Sequence, residues 1–140
     1  MKKEALVRVS SIQDNNKKDN VEVVTPGKFY KKEDNYYVVY DETVLSGMEG
    51  TTTTFKINPS NNKFSLIRMG TTSTKMEFVK GREDVILYNT PYGGLELNIS
   101  TNNIKMDIDE CGGTVEIDYD MSVSGKKVQN TLLSIDIKSK

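Results

Sequence analysis

The chain contains no histidine and no tryptophan among its 140 residues, and only one cysteine and three prolines. Without histidine, Ser-His and Cys-His nucleophile pairs and imidazole metal sites are excluded. Without tryptophan, one common anchor of sugar and protein interfaces is missing. A single cysteine, Cys111, cannot form an intrachain disulfide, which points to a reducing compartment, the cytoplasm. It stands beside Gly112-Gly113 with no basic neighbour to activate it and reads as an ordinary thiol. Net charge is also lacking. The 19 basic and 20 acidic residues leave -1 at pH 7, so no general field steers polyanions and DNA is not an expected partner. No apolar run reaches the roughly 18 residues of a membrane span. The run Ala5–Val9 is too short for a signal sequence and Arg8 interrupts it. There is no phosphate-binding glycine loop, no dinucleotide fingerprint and no G-x-S-x-G elbow.

What is present is alternation with a period of two. Val115, Ile117, Tyr119, Met121 and Val123 alternate with Thr114, Glu116, Asp118, Asp120 and Ser122. Leu95, Leu97 and Ile99 alternate with Glu96, Asn98 and Ser100, and Leu133, Ile135 and Ile137 with Ser134, Asp136 and Lys138. Such runs are strands with one buried face. Turn residues separate them at Lys31–Asn35, Pro59–Asn62, Gly81–Asp84, Pro91–Gly94, Thr101–Asn103, Cys111–Gly113 and Ser124–Lys127. Asp14–Asn20 reads as a polar loop, and Val21–Lys32 as a long strand bent at Pro26-Gly27. The short spacing between turns favours hairpin-linked neighbours. Residues 1–140 read as one domain, all-β, an antiparallel up-and-down barrel of about eight to ten strands. Leu6–Ile12 and Leu132–Lys138 both carry strand patterns, and their pairing would close the sheet and remove its edges. A β-sandwich is the alternative.

The chain resembles the YwiB-like family of bacterial proteins from about Leu6 to Ile137. The resemblance is carried by Tyr40-Asp41-Glu42, Gly47-Met48-Glu49-Gly50-Thr51, Thr54, Lys56, Leu66-Ile67-Arg68-Met69-Gly70, Tyr88, Thr90-Pro91-Tyr92-Gly93 and Tyr119-Asp120. It implies a small cytoplasmic barrel of the calycin (lipocalin-like) type. It implies no particular activity. Ligand binding follows only by analogy of fold.

Four groups of residues are candidates for a site. Arg68 shares parity with Phe64 and Leu66, and Glu42 with Tyr36, Val38 and Tyr40. If these faces point inward, an Arg–carboxylate pair lies inside or at the rim of the barrel, as a grip for an anionic group or as a structural ion pair. The seven tyrosines, with Tyr40, Tyr88 and Tyr119 foremost, pair an apolar ring with a polar tip. They suit a pocket lining, a core, or stacking on RNA beside Lys28, Lys31 and Lys32. Asp107, Asp109, Glu110, Glu116, Asp118 and Asp120 lack the spacing of a calcium loop and read as a solvated face, so no metal is expected. Met48, in Gly47-Met48-Glu49-Gly50, is placed to cap a barrel end or touch a ligand.

The resulting expectation is a non-enzymatic barrel with no catalytic residue and no cofactor. It would bind a small anionic or amphipathic molecule in its interior through Arg68, Glu42, Tyr40, Tyr88, Tyr119 and Met48. The alternative is a module that binds a protein or RNA through its outer face or rim loops. A monomer or a homodimer fits either reading. A hollow interior favours the first, and a filled interior with an exposed apolar patch favours the second.

Overall fold

A computed structural model of the chain describes residues 2–14, 16–43, 49–70, 73–90, 93–123 and 126–139; the side chains of 16–20, 88–90, 95 and 128 lie outside that description. Ten strands follow one another: β1 (Lys3–Gln13), β2 (Asn16–Lys32), β3 (Asn35–Asp41), β4 (Thr51–Asn58), β5 (Lys63–Gly70), β6 (Thr74–Val79), β7 (Glu83–Thr90), β8 (Gly93–Asp109), β9 (Gly112–Val123) and β10 (Lys126–Ser139). They form one antiparallel sheet in the order β6-β5-β4-β3-β2-β1-β10-β9-β8-β7. Every neighbour in it is a sequence neighbour except the pair β1–β10, whose ladder runs from Ala5↔Ser139 to Gln13↔Thr131. The terminal strands therefore pair as their patterns suggest.

The sheet curls until its two outer strands approach each other, giving a nearly closed antiparallel barrel. Phe78 on β6 meets Tyr119 on β9 across the interior, with ring centroids 4.9 Å apart. The turn between β6 and β7 is tied to β8. Gly81 donates its N–H to the Thr101 carbonyl at 2.9 Å, and Thr101 donates to the Arg82 carbonyl at 3.1 Å. Yet β6 and β7 share no ladder among the described residues. The barrel thus has one seam, between two strands that are consecutive in sequence.

Alternation sets which side chains fill the interior. β4 buries Thr51, Thr53, Phe55 and Ile57 and leaves the residues between them half-buried. Phe55, Phe64, Phe78, Ile57, Val38, Val7 and Val115 are all 0% exposed. Contacts between the rings run from Tyr40 through Phe55, Phe64 and Phe78 to Tyr119. The side chains at 0% leave one another no surface that water can reach, so the interior around them is filled, as small barrels allow. Each buried ring or branched chain contributes about 1.5–3 kcal/mol through the hydrophobic effect.

Two expected connections differ. Thr101–Asn103, read from sequence as a turn, lies within β8 as a bulge, where the register against β9 shifts between Thr101 and Asn103. The extra residue, Asn102, turns outward and donates its side-chain N–H to Asp118 Oδ1 at 3.2 Å, so the strand absorbs it without ending. The expected loop Asp14–Asn20 is shorter, because β2 already pairs Asn16 with Gln13. Asp14, at φ 52, makes that reversal possible. Its N–H donates to the Asn130 carbonyl at 2.8 Å, and its carboxylate accepts the Asn130 N–H at 2.9 Å.

Candidate functional site

One row of inward-facing residues crosses four strands at the end of the barrel where β3 finishes. Tyr40 on β3 lies opposite Thr53 on β4, Thr53 opposite Arg68 on β5, and Arg68 opposite Thr74 on β6. Glu42 follows β3 on the same face as Tyr40. It is fixed by its N–H, which donates to the Thr51 carbonyl at 2.8 Å. Tyr40, Glu42 and Thr53 are buried, whereas the Arg68 side chain is a quarter exposed. The alternation that builds the core therefore also carries five polar side chains inward.

The polar groups of this row are incompletely satisfied. The Thr53 hydroxyl donates to Glu42 Oε2. Arg68 Nε stands 3.8 Å from the same oxygen, an ion pair beyond hydrogen-bond range. Arg68 Nε and Thr74 Oγ1 are both buried without a hydrogen-bond partner. Such groups carry a desolvation cost that a polar ligand atom would relieve. Burial, and next the charge of Glu42, push the Tyr40 hydroxyl well above its ordinary value. Burial also raises Tyr119, which faces the cluster from β9, while the Thr131 hydroxyl and then Arg68 pull the other way. Thr131 Oγ1 makes no hydrogen bond of proper geometry, so its pull on Tyr119 is weak and burial dominates.

Arg68 also lines a cleft of about 450 Å3 that opens at the seam, with Ile67, Met69, Thr74, Val85 and Leu87 around it. Met69, Val85 and Leu87 are 68%, 60% and 66% exposed. They point outward, and the polar row points inward behind them. A second cleft, of about 370 Å3, lies at the other end of β3 over the stacked pair Phe29–Tyr36. Lys3 and Lys31 oppose Glu33 and Glu110 around it, and none of the unpartnered buried polar atoms lines it. Two of the buried polar atoms without a hydrogen-bond partner, Arg68 Nε and Thr74 Oγ1, belong to residues that line the seam cleft.

Of the residues singled out in the sequence, Arg68, Glu42 and Tyr40 come together and Tyr119 faces them. Met48 and the side chain of Tyr88 lie outside the described residues. Tyr30 and Tyr37 stack with centroids 5.1 Å apart, and Lys2 lies 5.1 Å from the Tyr30 centroid. Among the described residues the acidic side chains gather into no group that could hold a metal ion. Asp118 and Asp120 instead accept from the Asn130 side chain at 2.7 and 2.9 Å. Thr53 and Thr74 join the site without having stood out in the sequence. The parity of Thr53 with Phe55 and Ile57 was the available signal for the first; Thr74 sits at the start of its strand, where parity has little to build on.

Residues 7–135 match a protein family described as "Domain of unknown function (DUF1934)". The chain is 30% identical over 118 residues to the "Uncharacterized beta-barrel protein YwiB" of Bacillus subtilis (strain 168), covering 84% of this chain and 80% of that protein. The crystal structure of the ywiB protein from Bacillus subtilis shares the fold at a TM-score of 0.84, with 26% identity over 99% of this chain and 93% of the other.

Proposed function

Because the chain belongs to the DUF1934 family and shares the barrel of YwiB, we propose that it is a non-enzymatic binding protein whose ligand is anionic and amphipathic. The ligand's anionic group meets Arg68 at the seam, and its apolar part lies along Met69, Val85 and Leu87. One observation carries this reading: Arg68 lines an open cleft while its buried Nε lacks a hydrogen-bond partner. Tyr40, Glu42 and Tyr119 form the wall behind it. A volume of about 450 Å3 falls within the range of ligand sites, about 300–1,000 Å3. The filled interior moves the expected ligand from the centre of the barrel to its wall. The free, exposed Cys111 fits a cytoplasmic domain.

Calorimetry with sodium dodecanoate tests the reading, with dodecyltrimethylammonium as the oppositely charged control. Dodecanoate is expected to bind, the cation is not, and Arg68→Gln is expected to weaken dodecanoate binding at least about tenfold. Equal binding of the two amphiphiles, or equal affinity in the folded Arg68→Gln protein, would overturn it.

The outer-face reading gains from the filled interior and from the same exposed strip. An apolar strip beside unpaired strand edges suits a polypeptide better than RNA, whose backbone needs cations.

A further inference from the structure

The seam is the one place among the described residues where neighbouring barrel strands leave their main-chain edges unpaired. An unpaired strand edge holds a row of N–H and C=O groups that another extended main chain can satisfy. Proteins commonly guard such edges with charge. β6 is guarded: outward-facing Lys75 and Glu77 pair with each other at 3.3 Å, and Glu77 pairs with Lys63 at 3.2 Å. The middle of β7 is not guarded, because its outward residues there are Val85 and Leu87.

We infer that the free edge of β7 receives an extended polypeptide segment of another protein, which adds as a strand at the seam and presents an acidic side chain to Arg68. This rests on the anionic, amphipathic reading of the cleft and names the class of ligand. The side-chain period fixes the segment's pattern. In a strand laid beside β7, successive side chains alternate between the outer surface and the barrel wall. Outward positions meet Val85 and Leu87, which are two residues apart, so they must be apolar and two apart as well. The inward position between them faces the wall of the cleft, where Arg68 Nε and Thr74 Oγ1 lack a hydrogen-bond partner. A carboxylate there accepts from both. The recognised pattern is therefore apolar–acidic–apolar in an extended chain.

The test uses the full chain and the peptide acetyl-Thr-Val-Asp-Val-Thr-amide, with amide exchange followed by NMR. Binding is expected to slow exchange of amides within residues 83–87. N-methylation of both valines removes the two main-chain donors on one edge of the extended peptide and is expected to abolish binding. Asp→Asn in the peptide, or Arg68→Gln in the protein, is expected to weaken it at least about tenfold. Val85→Lys alters only an exposed side chain, and is also expected to abolish it. No peptide binding where dodecanoate still binds at Arg68 overturns strand addition and leaves the broader reading standing. Failure of both ligands overturns both. Undiminished binding of the N-methylated peptide overturns the main-chain pairing. Concentration-dependent dimerisation that Val85→Lys abolishes makes a second copy the occupant and overturns a foreign segment.

Discussion

Arg68 and Glu42 face each other with unequal access to water: the carboxylate side chain is 3% exposed and the guanidinium side chain 25%, and Nε lies 3.8 Å from Oε2. The two halves of such a pair are not equally costly to remove. Arg68→Met leaves an uncompensated charge in the wall, which costs about 2–4 kcal/mol, towards the lower part of what buried pairs show because Arg68 is partly solvated. Glu42→Gln leaves a guanidinium that can reach water, and should cost less. Urea unfolding of the two variants checks the order, and a larger loss for Glu42→Gln would contradict it.

Tyr40 and Tyr119 make stability sensitive to alkali. Burial raises both hydroxyls above the ordinary value of 10. Above about pH 10 the unfolded chain releases these protons and the folded chain keeps them, so the unfolded state binds fewer protons and stability falls as pH rises. Below about pH 10 the full contribution is present. Tyr40→Phe should flatten the alkaline limb of a plot of unfolding free energy against pH. A limb of unchanged slope would show that Tyr40 ionises freely in the fold.

Asn130 ties three segments together, and its loss should show in acid. Its side chain, first among the causes, holds the Asp120 carboxyl below the ordinary 3.8, and Lys127 at 3.4 Å assists while burial opposes. A carboxyl lowered in the fold adds stability above its unfolded value, and that stability is lost as pH falls through the folded value. Asn130→Ala removes hydrogen bonds to two carboxylates. It should cost about 1–3 kcal/mol at pH 7 and soften the loss of stability below about pH 4. Thermal melts from pH 2 to pH 7 read both effects.

Gly113 and Gly81 both have positive φ, at 149° and 79°, but they differ in surroundings. A Cβ at Gly113 would fall 2.0 Å from the Asp107 carbonyl oxygen on the paired strand, whereas one at Gly81 meets nothing within 4 Å. Gly81→Ala should cost about 1 kcal/mol, the strain of the backbone alone. Gly113→Ala forces β8 and β9 apart and should exceed about 3 kcal/mol. Comparable melting temperatures for the two variants would refute the distinction.

Much of the fold was legible because a strand's period leaves few alternatives. Val7, Val9, Ile135 and Ile137 announce an inward face in each terminal strand, and the observed pairs Val7↔Ile137 and Val9↔Ile135 follow from it. The bulge at Asn102 was not legible, since its residues are also turn formers and only the neighbouring Asp118 and the 81–82 turn decide between the two. Arg68 and Glu42 were legible as a pair through parity. That they stand beside a gap was not, because the gap depends on how far the curled sheet carries β6 towards β7, a sum of strand twists that no single residue encodes.

The ladder between β1 and β10 also bears on how the barrel assembles. Every other pairing joins strands adjacent in sequence, so two meanders, β1–β6 and β7–β10, can each zip from local hairpins. One strand ladder joins them, β1–β10, where Asn130 bonds to Asp14 across 116 positions of chain. The loop-closure entropy of the whole fold is concentrated there. The rate of folding should accordingly respond more to the strength of that junction than to any hairpin, as expected when a single non-local pairing completes an otherwise local topology.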